Sequence, residues 1–194
     1  MDLKQYLTPD SFTRKLTPFS FGTYAECEKL FKQAFLLTDQ TIKEGKFEML
    51  PEYKDVIQWL SSSEGKGLLM TGANGRGKTA ILKGVIPLIF KSKGYVLRVL
   101  NSTEIDYNSF QQYLNSKKFI AIDEIGKDSV IKDYGNEKDP VEAAIDHCED
   151  RMKLLLMTSN LTGEQIKERY GNRTLSRIKR LCKIVVFKGR DYRG

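Results

Sequence analysis

Cysteine is scarce in this chain. Only Cys27, Cys148 and Cys182 occur, and no two of them stand in C-x-x-C spacing. An odd, scattered set argues against a disulfide framework and against a zinc site. It argues for a reducing compartment, so a cytoplasmic location is expected. Long apolar runs are also lacking: none approaches the ~18 residues that a membrane-spanning helix needs. The opening Met1-Asp-Leu-Lys-Gln-Tyr6 has no apolar core of a signal peptide, and no membrane partner is expected. There are no internal repeats and no low-complexity linker. With 194 residues the chain suffices for one domain with a substantial core. The sole histidine, His147, receives no role.

What is present begins with charge. The formal net charge is +7, and from Arg151 onward twelve lysines and arginines face only Glu164, Glu168 and Asp191. That quarter is strongly basic while the remainder is near neutral. Such a segment is an electrostatic footprint for a polyanion, nucleic acid first of all. The plainer reading is a solvated basic face.

Gly72-Ala-Asn-Gly-Arg-Gly-Lys-Thr79 matches the phosphate-binding pattern G-x-x-x-x-G-K-[ST]. Gly72, Gly75 and Gly77 let the backbone approach an anion at positive φ without a Cβ in the way. Their N–H groups then form a cradle at the mouth of a helix, whose N-terminal partial charge attracts phosphate. Lys78 reaches the β- and γ-phosphates and the Thr79 hydroxyl ligates Mg²⁺. The expected nucleotide-binding residues are Gly72, Ala73, Asn74, Gly75, Arg76, Gly77, Lys78, Thr79 and Ala80. The context agrees: Gly67 to Thr71 reads as a buried strand and Thr79 to Phe90 as a helix.

Residues 1–22 read as an extended or loosely docked arm and Tyr24 to Leu37 as a helix. A further helix starts at Pro51 and runs to about Ser61. Tyr24, Phe31 and Trp59 suit a core better than an adenine platform. Downstream, strands are expected over Tyr95–Leu100, Lys118–Glu124, Lys153–Thr158 and Lys183–Phe187. Helices are expected from Ser102 to Leu114, from Asp139–Pro140 to Arg151, from the Thr162–Gln165 capping box to Gly171, and from Arg173 to Cys182. Strand and helix alternate around near-continuous apolar strands, so the fold class is α/β with a parallel sheet covered on both faces. Lys127 to Asp139 reads as a polar, mobile loop, a weak candidate for touching DNA because of its own acids.

Phe119-Ile-Ala-Ile-Asp123-Glu124 places two acids at the C-terminal end of a buried strand, where ligands of open α/β sheets bind. Asp123 is placed to hold Mg²⁺, with Thr79 as the other metal residue, and Glu124 to act as general base toward water. The strand ending Thr158-Ser159-Asn160 sets an amide beside these acids, where it would position the water or sense the γ-phosphate.

These motifs, with Ser176-Arg177 and the ending Lys188-Gly-Arg-Asp-Tyr-Arg193, together resemble the AAA+ ATPases of the DnaC/IstB type, bacterial helicase loaders and transposase helpers. The resemblance covers roughly residues 50–194. It implies a P-loop NTPase with ATP and Mg²⁺ as cofactors, a five-stranded sheet of order 5-1-4-3-2 and no C-terminal lid. It also implies ATP- or DNA-dependent self-association into a ring or spiral on single-stranded DNA, with a replicative helicase or a transposase as partner. An arginine from the segment matching Arg173–Arg177 would neutralise transition-state charge on a neighbouring subunit's nucleotide; Arg177 fits better than Arg173, and Arg193 matches the terminal Tyr-Arg. The expected catalytic set is Lys78, Glu124, Asn160, Arg177 and Arg173. The expected division is 1–50, an arm and helix for docking a partner, and 51–194, the ATPase core. A helicase-loader role in replication leads, with transposition as the alternative. A small-molecule kinase would need an acceptor lid, and a low-turnover nucleotide switch would have little use for Glu124.

Overall fold

Leu68 and Met70 face one side of the central sheet and Leu69 faces the other, yet all three are wholly buried. Side chains alternate across a strand, so a strand that is apolar at every position requires cover on both faces. The computed structural model describes residues 18–39, 47–127, 131–133 and 136–189. Within them five parallel strands form the sheet: β1 (Gly67–Gly72), β2 (Val99–Asn101), β3 (Phe119–Ile125), β6 (Leu154–Ser159) and β7 (Cys182–Phe187), in the order β2-β3-β6-β1-β7. Counting only these five, this is the order 5-1-4-3-2.

One face packs on α1 (Tyr24–Thr38), α2 (Pro51–Ser61) and the helix that follows β1. The other packs on α5 (Tyr107–Ser116), α6 (Pro140–Arg151) and α7 (Gly163–Leu181). Phe31 and Trp59 are fully buried in the first core, as their spacing predicts, and the Trp59 indole N–H donates to Lys66 O at 2.8 Å. Of the N-terminal arm, Phe19 and Phe21 are docked. The Phe19 N–H donates to Ser63 Oγ and the Phe21 N–H to Leu60 O, and Phe19 packs edge-on against Trp59.

The helix after β1 is not uniform. It opens as α3 (Lys78–Ala80), widens into a π turn over Ile81–Val85 and continues as α4 (Ile86–Ser92). Pro87 supplies the physical reason: it has no N–H to give to the carbonyl of residue 83 and its ring crowds that carbonyl, so the turn before it opens to an i→i+5 pattern.

Three readings change. The second strand does not begin at Tyr95; only Val99–Asn101 pairs with β3, because this edge strand has a single neighbour. A short 3-10 turn, Ser102–Glu104, intervenes before α5, which is capped by Asp106 rather than Ser102. The polar segment after Lys127 holds an antiparallel hairpin of β4 (Ile131–Asp133) and β5 (Asn136–Lys138) instead of a plain loop. The break expected at Gly171 is present: its backbone leaves helical geometry at φ 82° and ψ 167° and divides α7 into two helices.

Candidate functional site

The phosphate loop spans the turn from β1 to α3, at the strands' C-terminal edge. Gly72, Gly75 and Gly77 all have positive φ (109°, 67° and 84°), as the motif requires. A Cβ on Gly77 would lie 2.8 Å from Tyr53 Oη, so glycine is needed there for space as well as for conformation. The loop is fastened from outside. Ala73 N–H donates to Phe187 O at 2.9 Å, Tyr53 Oη donates to Arg76 O at 3.2 Å, and the Arg76 guanidinium donates through Nε to Glu52 Oε1 at 2.6 Å. Arg76 and Glu52 are 6% and 5% exposed. Arg76 therefore serves the loop by its main chain and by this buried ion pair. No local signal reveals Glu52, because its partner lies on a distant segment.

Lys78 is buried and its ammonium donates to Gly72 O at 2.8 Å and to Ala73 O at 2.6 Å. It is thus held across the mouth of the loop, in place for an anion in the cradle. Asn74, Gly75, Arg76, Gly77, Lys78, Thr79, Glu124 and Asn160 line one small cleft. All eight belong to the expected catalytic and binding set, and they come from the turns and ends of three separate strands.

Asp123 ends the regular part of β3, with only 2% exposure. Its Oδ1 accepts from Thr79 Oγ1 at 3.2 Å and from Thr158 Oγ1 at 2.5 Å, and its Oδ2 faces Lys83 Nζ at 2.9 Å. Thr158 also accepts from the Glu124 N–H at 2.8 Å, so one hydroxyl orients both acids. The β3–β6 register slips between Ile122 and Ile125, and Glu124 takes φ 61°. A bulge re-aims a side chain, and positive φ on a residue other than glycine is strain that marks functional positions. Glu124 is turned out of the sheet into the cleft, where Oε1 accepts from Asn160 Nδ2 at 3.3 Å and from Lys127 Nζ at 2.8 Å.

The donor set fits Mg²⁺. A hydroxyl and a carboxylate oxygen 3.2 Å apart are hard ligands, and Mg²⁺ is commonly held by one or two such groups with phosphate oxygens and water completing the shell. Among the described residues no group of three His, Cys, Asp or Glu is arranged to cage a metal. The glycine cradle fits a nucleotide's phosphates in the same way.

The two arginines separate. Arg177 Nε donates to Glu149 Oε2 at 2.7 Å and its Nη1 reaches Asp146, both on α6 of the same chain. Arg173 is exposed and has no ion pair among the described residues. Arg193 lies outside the described residues. Lys83, Thr158 and Glu52 are the site residues that sequence reading missed. The spacing of Lys83, one helical turn beyond Thr79, was its only signal.

No helix among the described residues is long and apolar enough to cross a membrane. No protein-family model and no curated protein matches this sequence. Solved structures do. A crystal structure of the DnaC helicase loader matches with a TM-score of 0.59 at 17% identity, covering 82% of this chain and 99% of that one. The crystal structure of DnaI matches with a TM-score of 0.58 at 15% identity, covering 82% and 94%. AMPPCP-bound DnaA from Aquifex aeolicus matches with a TM-score of 0.53 at 14% identity, covering 74% of this chain and 49% of that one. The chain shares the fold of these structures, a five-stranded parallel sheet covered by helices with the phosphate loop after its first strand.

Proposed function

We propose that the protein is a Mg²⁺-dependent ATPase that works on DNA in replication, in the manner of a helicase loader. The observation that carries this is the meeting of Lys78, Thr79, Asp123, Glu124 and Asn160 around one cleft. Lys78 and the loop amides would bind the β- and γ-phosphates, and Thr79 and Asp123 would hold Mg²⁺, which supplies charge neutralisation on the phosphates when bound. Glu124 would accept the proton of the attacking water while Asn160 keeps its carboxylate turned toward the cleft. In this reading the phosphoryl group passes directly to water, so positioning and electrostatics do the work.

Self-association follows as part of the reading, with Arg173 or Arg177 completing a neighbour's site. The exposed bases of α7, among them Lys167, Arg169, Lys179 and Arg180, suit the phosphates of single-stranded DNA. Residues 1–50 would dock a helicase, residues 51–194 would form the ATPase, and the setting would be the cytoplasm. Two of the similar structures are described as a helicase loader and as a protein bound to AMPPCP, which supports a nucleotide and a replication setting. Transposition help is the second role that the motif resemblance allows.

The test is ATPase rate against protein concentration, with and without single-stranded DNA, over a range of salt. The reading predicts a rate that rises more than linearly with protein and is stimulated by DNA. The stimulation should fall steeply with salt, since phosphate contacts release counterions. A linear rate indifferent to DNA would leave a monomeric phosphate-loop enzyme.

A further inference from the structure

Asp123 is a buried carboxylate whose compensation comes from an unexpected side. Its Oδ1 is taken by the hydroxyls of Thr79 and Thr158, and its Oδ2 by the Lys83 ammonium at 2.9 Å. A carboxylate 2% exposed needs a partner charge, because desolvation penalises a lone ion heavily. Lys83 is the one cation paired with it among the described residues.

Lys83 differs from its partner in one respect: it is 42% exposed. A lysine is a compact charge on a flexible four-carbon stem, so an ammonium at the rim of a buried site can withdraw to water without unfolding anything. Its place is built into the chain. It follows Thr79 by one helical turn, which sets both on the same face, and it sits in the π turn that Pro87 imposes. The carboxylate that would take Mg²⁺ is therefore already neutralised by a tethered monovalent charge.

We infer that Lys83 is a displaceable counter-ion that holds Asp123 in the metal-free protein and must give way when Mg²⁺ binds. This rests on the nucleotide-site reading given above. A divalent ion on Asp123 and an ammonium at the same carboxylate repel each other at short range. Lys83 thus compensates Asp123 at the expense of metal affinity. It is a positioning residue, setting the Mg²⁺ concentration at which the site closes on nucleotide.

The experiment has two arms. In the first, Mg²⁺ is titrated into protein with a fluorescent ADP analogue, for the wild type, Lys83→Met and Lys83→Arg. Lys83→Met should lower the half-saturating Mg²⁺ on the order of fivefold, the size of a half-exposed ion pair, and Lys83→Arg should stay near wild type. Nucleotide affinity in EDTA should be unchanged. An unchanged Mg²⁺ requirement, or weaker nucleotide binding in EDTA, which would make Lys83 a phosphate ligand, overturns the inference. In the second arm, melts in EDTA compare Lys83→Met, Asp123→Asn and the double variant. Lys83→Met should lower the melting temperature only while Asp123 is charged, and equal losses in both backgrounds would also overturn the inference. If the wild type shows no Mg²⁺-dependent nucleotide binding, the site reading itself fails and the inference falls with it, whereas the EDTA melts still tell whether the pair exists.

Discussion

Asn160 Nδ2 lies 3.3 Å from Glu124 Oε1, joining the ends of two adjacent strands across the phosphate loop's cleft. Lys127 Nζ contacts the same oxygen at 2.8 Å. Both contacts fall on Oε1, and none among the described residues falls on Oε2. The bulge at Ile122–Ile125 and the positive φ of Glu124 turn the carboxylate away from the sheet. Asp123, its neighbour, stays buried beside Thr79. Two adjacent acids thus sit in two separate environments.

The Glu52–Arg76 pair predicts a stability effect distant from the chemistry. Both side chains are nearly inaccessible, so removing Glu52 takes a charged partner away from a buried guanidinium. Glu52→Ala should cost about 3 kcal/mol or more in urea unfolding and weaken nucleotide binding, since Arg76 is part of the phosphate loop. Glu52→Gln should cost less, because it keeps an acceptor for the guanidinium.

Tyr113 predicts an alkaline limb. Its hydroxyl accepts from the Ala121 N–H at 2.8 Å and donates to Arg98 O at 2.8 Å. Burial pushes its phenol from the ordinary 10.0 up to about 12. A raised folded pKa favours the protonated form in the folded state. The contribution is therefore full below pH 10 and is lost as pH climbs through about 12. Tyr113→Phe should cost about 1–3 kcal/mol at neutral pH by orphaning the Ala121 amide. It should also flatten the fall in melting temperature over that alkaline window.

Arg173 and Arg177 should separate on two measurements. Arg177 is held by Glu149 and Asp146, so Arg177→Ala should lower stability by about 1 kcal/mol. Arg173 is exposed and has no ion pair among the described residues, so Arg173→Ala should leave the melt unchanged. If Arg173 completes a neighbouring site, its variant should lose ATPase activity most at high protein concentration, where subunits meet. Equal losses at every concentration would point to a role within one subunit.

What was legible in the sequence was whatever depends on nearby residues. The phosphate loop, the buried strand ending in Asp123-Glu124, and helices starting at Pro51 and Pro140 carry their signals within a few positions. Strand order came only with the motif resemblance. What escaped was long-range or weakly patterned. Tyr95 and Val96 look like strand residues but are exposed outside it. The β4–β5 hairpin has no apolar alternation to announce it. Lys83 looks like a surface lysine until folding brings Asp123 to it. The intrachain partners of Arg177 lie on α6, where no local pattern connects them.

The central claim is that Glu124 activates water in a site that binds ATP without it. It is tested by measuring equilibrium ATP binding and single-turnover hydrolysis together, with Mg²⁺, for the wild type and Glu124→Gln. The account predicts near-equal binding and hydrolysis slower by about 100-fold or more. Hydrolysis at the wild-type rate in the variant would contradict it.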